Sequence, residues 1–124
     1  MRLKVGAACL AFMLLAGCGR SNTASSDDPV PALLKDPVAL QHGKELFLGT
    51  CGAYCHKTTN VPSQAPFLFD CDWLHGGSDT EIFNTIANGV PRTQMVPFKD
   101  AFATQDRWSI VAYIKSASQC PGSK

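Results

Sequence analysis

The sequence predicts an all-α fold, a small bundle of three main helices joined by loops, and three observations lead to it. Helix-start signals stand at Asp36-Pro37 and at Ser78-Asp79-Thr80-Glu81. Apolar residues recur with helical spacing between Gln105 and Ser118. No segment alternates apolar and polar residues with period two over a useful length, so strands are not expected.

The first helix opens with Asp36 as N-cap and Pro37 at the first helical position, where a missing N–H costs nothing. It places Leu40, Gly43 and Phe47 on one face. A glycine on a buried helix face serves to let another backbone come close, because it otherwise weakens the helix. The second helix starts in the Ser78 to Glu81 capping-box pattern, carries Ile82, Phe83, Ile86 and Ala87, and stops at Gly89. The third, from about Gln105 to Ser118, has a broad apolar face of Trp108, Ile110, Val111, Ala112, Tyr113, Ile114 and Ala117, with Thr104 as its expected cap.

The chain has 124 residues, 45% of them hydrophobic, which leaves room for one small domain. Its N-terminus reads as an export leader. Arg2 and Lys4 form a basic start, and Val5 to Ala16 form an apolar run too short to span a bilayer. Leu15-Ala16-Gly17-Cys18 resembles a bacterial lipobox, so residues 1–17 are expected to be removed and Cys18 to carry the lipid. Residues 18–35, rich in Ser, Asp, Ala and Pro, are expected to form a flexible tether, and residues 36–120 the domain itself. Without Arg2 and Lys4, nine basic groups stand against ten acidic ones, a net charge of −1 with no nucleic-acid footprint.

Chemistry concentrates at Cys51-Gly52-Ala53-Tyr54-Cys55-His56. Two thiols from one turn can add to the vinyl groups of a haem while the adjacent imidazole reaches its iron. The usual spacing has two residues between the cysteines. Here there are three, and the extra one is expected to bulge out at Gly52. Taken alone, the same pattern also fits a structural zinc site, with Cys71 as a further ligand, or a disulfide. An iron that carries electrons needs a sixth ligand, and Met95 is the only methionine outside the leader. His42 and His75 compete for that role.

The arrangement resembles the class I cytochromes c. Gly43 and Phe47 stand eight and four residues before Cys51, as in the N-terminal helix of that family, and Trp108 and Tyr113 match its last helix. Ala65-Pro66-Phe67-Leu68 resembles the loop whose proline carbonyl accepts a hydrogen bond from the proximal imidazole, and Gly89 to Phe98 resembles the distal methionine loop. The resemblance covers about residues 37 to 118 and departs from the family at the three-residue spacing. It implies helices and loops wrapped around one covalent haem c, held by Cys51 and Cys55, with His56 and Met95 as axial ligands and Pro66 supporting His56. No family role attaches to residues 70–77.

The resemblance therefore implies a single-electron carrier rather than a catalyst, and the lipobox-like leader a lipid anchor on the periplasmic side of a bacterial membrane. Its expected partners are redox proteins: a dehydrogenase, a cytochrome complex or an oxidase. Two other readings stay open at this point: a haem protein with an open sixth site that senses or turns over small molecules, and a structural zinc module. In an oxidising compartment Cys71 and Cys120, the two cysteines left over, are expected to pair.

Overall fold

The computed structural model describes residues 28–120. Among them there are helices and no strands: α1 (Val30–Leu33), α2 (Pro37–Leu46), α3 (Asp79–Asn88) and α4 (Thr104–Ala117). The leader and Cys18 lie outside the described residues. No helix among the described residues is long and apolar enough to cross a membrane.

Each main helix starts where its local chemistry directs. The Asp36 carboxylate accepts from the N–H groups of Val38 and Ala39 at 2.9 and 3.2 Å, which satisfies donors that the first turn leaves without partners. At α3 the Ser78 hydroxyl accepts from Glu81 N–H, and the Glu81 carboxylate accepts from Ser78 N–H at 3.0 Å. The start of α4 differs from expectation. Thr104 is its first helical residue, and the Asp106 carboxylate instead accepts from Ala103 N–H at 3.2 Å.

The core is the crossing of α2 over α4. A Cβ at Gly43 would overlap the Ser109 carbonyl, so the two backbones touch where only glycine fits. Around that crossing Phe47, Ile110, Val111 and Ala112 have no exposed surface. Phe47 packs its ring against Phe69 and Tyr113, with centroids 5.5 and 5.4 Å away. His42 Nε2, one residue from Gly43, pairs across the crossing with Asp106 Oδ1 at 2.8 Å.

Residues 30–33, expected to lie in a flexible tether, form α1 instead. Val30 is fully buried and Leu33 nearly so, both in the core beside α4, so residues 30–33 belong to the domain. Burial of two branched aliphatic side chains outweighs a local composition typical of linkers.

Candidate functional site

The segment after α2, faces of α3 and α4, and three loops surround a cavity of about 570 Å³ lined by Cys55, His56, Pro66 and Met95, with Ile82, Ile86 and Ile114 among its apolar residues. His56 comes from the continuation of α2. Beyond Leu46 the helix widens into a π-type turn over Phe47–Gly52, and the Cys51 carbonyl accepts from both Cys55 N–H (3.1 Å) and His56 N–H (2.8 Å). The additional residue is thus absorbed by widening the helix, a way in which helices take up single insertions at functional sites. The widening includes Gly52 but does not draw on glycine's freedom: its φ is not positive, and a Cβ there would make ordinary contacts with Phe47 and Leu48.

His56 is buried, 8% exposed, and its Nδ1 lies 2.8 Å from the Pro66 carbonyl oxygen. A carbonyl only accepts, so Nδ1 carries the proton and Nε2 keeps its lone pair for a metal. The loop that brings Pro66 into place is itself braced: Ser63 Oγ donates to the Cys55 carbonyl at 3.3 Å and accepts from Ala65 N–H at 3.2 Å. Cys55 is exposed on the cavity, whereas Cys51 sits half-buried against the core outside the cavity lining. Both thiols are free rather than bonded to each other. Burial pushes the Cys51 thiol up to about 11, with the nearby Cys55 adding to the rise and a backbone hydrogen bond opposing it.

Met95 enters the same cavity from a loop pinned to the end of α3. Its carbonyl accepts from Val90 N–H at 2.9 Å and its N–H donates to Thr93 Oγ1 at 3.1 Å. Phe98 N–H and Lys99 N–H donate to the Ile86 and Ala87 carbonyls. Gly89 makes the close return possible, since its φ is +67° and a Cβ there would strike the Met95 carbonyl.

The cavity also has a wall without regular structure, Asp72 to Gly76, from the stretch to which no family role attaches. Cys71 at its edge is bonded to Cys120, with Cα atoms 5.4 Å apart. His75 lines this wall, while His42 does not line the cavity and is engaged with Asp106. Cys71, the further ligand a zinc module would use, is taken up in that disulfide, and among the described residues no three His, Cys, Asp or Glu side chains are grouped so as to hold a metal ion.

A deep apolar cavity, an imidazole with a free Nε2, a thioether and two thiols on the preceding turn form a donor set that fits haem c. Fold and donor set together define a small class I cytochrome c domain. The family profile described as cytochrome c oxidase, cbb3-type, subunit III matches residues 38–114, and the chain belongs to that family. It is 39% identical over 95 residues, 75% of this chain, to the cbb3-type cytochrome c oxidase subunit CcoP of Rubrivivax gelatinosus. It is 35% identical over 92 residues, 67% of this chain, to subunit FixP of Sinorhizobium medicae. These matches cover 31% and 32% of the relatives, so the chain spans about a third of their length. Among solved structures, the crystal structure of cytochrome CL from Methylophaga aminisulfidivorans shares the fold with a TM-score of 0.62 at 22% identity, over 85% of this chain and 73% of that one. The protein is an electron-transfer haem protein whose cofactor is covalently attached haem c.

Proposed function

We propose that this chain is a monohaem single-electron carrier in which Cys51 and Cys55 form the thioether links and His56 and Met95 are the axial ligands. The observation that carries the reading is the His56 Nδ1 to Pro66 carbonyl hydrogen bond of 2.8 Å in a cavity that also holds Met95. When bound, haem c supplies an iron that alternates between ferrous and ferric states. The protein's part is to hold both ligands still. Pro66 keeps the His56 ring oriented, and the Val90 and Thr93 hydrogen bonds keep the Met95 backbone in place, so little rearrangement accompanies a change of charge. The apolar lining excludes water, and a neutral sulfur ligand favours the reduced state and raises the potential.

Electrons pass without a substrate bond being broken, so the chain is not an enzyme by itself. Tyr54 and Leu74, 79% and 73% exposed on the cavity rim, offer apolar contact to a redox partner. The likeness to CcoP and FixP favours a terminal oxidase or a neighbouring cytochrome complex as that partner, with a dehydrogenase as the upstream donor. Lipid at Cys18 would hold the domain on the periplasmic side of the membrane, consistent with the lipobox-like leader.

The test is an absorption spectrum of oxidised and reduced protein made in a host with cytochrome c maturation, together with pyridine haemochrome analysis. The expected result is covalent haem with the weak far-red charge-transfer band of thioether-ligated ferric iron. The haemochrome peak reports whether one or both thiols are linked. Covalent haem without that band would remove Met95 as ligand, and a colourless product would overturn the reading altogether.

A further inference from the structure

Neither the attachment turn nor the methionine loop supplies the Asp72 to Gly76 wall of the cavity. An irregular segment of this kind takes its position from whatever ties it to the rest of the molecule. Within it Asp72 N–H bonds to Asp70 Oδ1 at 3.1 Å, and the Trp73 indole lies against Gly77, where a Cβ would overlap the ring. Leu74 and His75 are exposed. Trp73 also packs against the edge of the core, and Gly76 lies against the Glu81 carboxylate at the start of α3; the other ties that reach beyond the segment run to the last turns of α4 and the residues after it. Gln119 N–H donates to the Phe69 carbonyl at 2.8 Å, and Lys115 Nζ donates to the Gly77 carbonyl at 3.2 Å and pairs with Asp79 at 3.3 Å. Between these stands the Cys71–Cys120 disulfide, which joins positions 49 residues apart. Two hydrogen bonds and a partly exposed ion pair are weak restraints beside a covalent one.

We propose that the Cys71–Cys120 disulfide positions the Asp72–Gly76 wall of the cavity that would hold haem c, and that a dithiol which reduces it opens this cavity to small exogenous ligands of the iron. The proposal rests on the haem reading of the cavity. Reduction breaks the S–S bond; the dithiol supplies two electrons and two protons and closes to its own disulfide, leaving thiols on Cys71 and Cys120. Cys71 is exposed, so a dithiol can reach it, and thioether links to haem are not reducible in this way. Cys71 and Cys120 are positioning residues: they act through the wall and do not touch the reacting atoms.

The experiment uses assembled holoprotein with iron held ferrous in every arm, and monitors carbon monoxide binding before and after dithiothreitol, with new thiols counted by alkylation and mass spectrometry. Pyridine haemochrome analysis comes first, so that a missing cofactor is distinguished from a failed proposal. Carbon monoxide should bind about tenfold faster once the two thiols appear, in proportion to the rise in the open fraction. The Cys71→Ser/Cys120→Ser variant should bind it fast with or without dithiol and show a lower midpoint potential. Two titrated thiols with unchanged carbon monoxide kinetics would overturn the proposal and leave the disulfide a purely structural staple, detectable only as a loss of thermal stability. Should the variant fail to mature, the wild-type protein reduced after assembly decides; should dithiol fail to reduce the bond, the variant decides.

Discussion

His56 and Met95 line one cavity from backbones of opposite character. His56 stands at the end of a helical run that begins at Pro37, and its ring is held by a single bond to Pro66. Met95 stands in a loop whose main chain is returned to α3 by hydrogen bonds from Val90, Phe98 and Lys99. On the first side, the proposed attachment and ligation residues share one segment with the α2–α4 core, so damage there is expected to reach assembly. On the second, the backbone is fixed independently of the side chain, so the side chain can change while the loop keeps its path.

The largest expected effect breaks the first side. His56→Ala should abolish stable holoprotein, read as loss of covalent haem in a denaturing gel and in the haemochrome. Met95→Ala should keep covalent haem but lower the midpoint potential by a sizeable part of the roughly 0.8 V span that axial ligands set, and open the sixth position to added imidazole. An unchanged potential would contradict the assignment of Met95.

Gly89→Ala sharpens the comparison by moving the methionine loop without touching methionine. A Cβ at that position must displace the Met95 carbonyl from a left-handed residue, at a cost of about 1–3 kcal/mol. A lower melting temperature together with a weaker far-red band is expected. Pro66→Ala should do much less, since alanine retains the carbonyl that accepts from His56 Nδ1; a marked spectral change would mean that the ring, rather than the carbonyl, orients the imidazole.

The smallest effect is a pH dependence at the start of α3. Hydrogen bonds from the Ser78 hydroxyl and N–H hold the Glu81 carboxyl below its usual range. Its folded value is depressed, so its stabilisation is present above the unfolded value and is lost as pH falls through the folded one. Asp79 has the opposite sign: burial raises it, against the pull of Lys115, so the folded state holds that proton more tightly and Asp79 favours folding as pH falls. Glu81→Gln should therefore flatten the loss of melting temperature on acidification below about pH 4.5, near the ordinary carboxylate value; an unaltered acid slope would remove Glu81 from the account.

The three main helices were legible because caps and apolar spacing are local signals: Asp36, the Ser78–Glu81 pair and Gly89 each act within a few residues of their own position. Met95, Pro66 and His56 could be read as one site only through order along the chain and likeness to a family. What stayed hidden depends on distant partners. The four residues of α1 are too few to show a period, and Val30 and Leu33 declare themselves only by their burial in the core. Thr104 has the chemistry of a cap, yet Asp106 reaches Ala103 first. The cavity wall at 72–76 has no periodicity, and its one signal was a cysteine in need of a partner.

The widened turn before His56 bears on angular phase. In an α-helix of about 3.6 residues per turn, a residue four positions on overshoots a full revolution by roughly 40°, whereas one three positions on falls short of it. The π-type turn over Phe47–Gly52 holds more than four residues per revolution and overlaps the start of the Cys51–Cys55 interval, where the Cys51 carbonyl accepts both from Cys55 N–H, four positions on, and from His56 N–H, five positions on. An i to i+5 bond at Cys51 lowers the rotation per residue there, in the direction that brings a three-residue spacing nearer to the azimuth of a two-residue one. Rotation about the axis, not the count of intervening residues, is what the two thiols would have to satisfy to meet one flat ring as proposed.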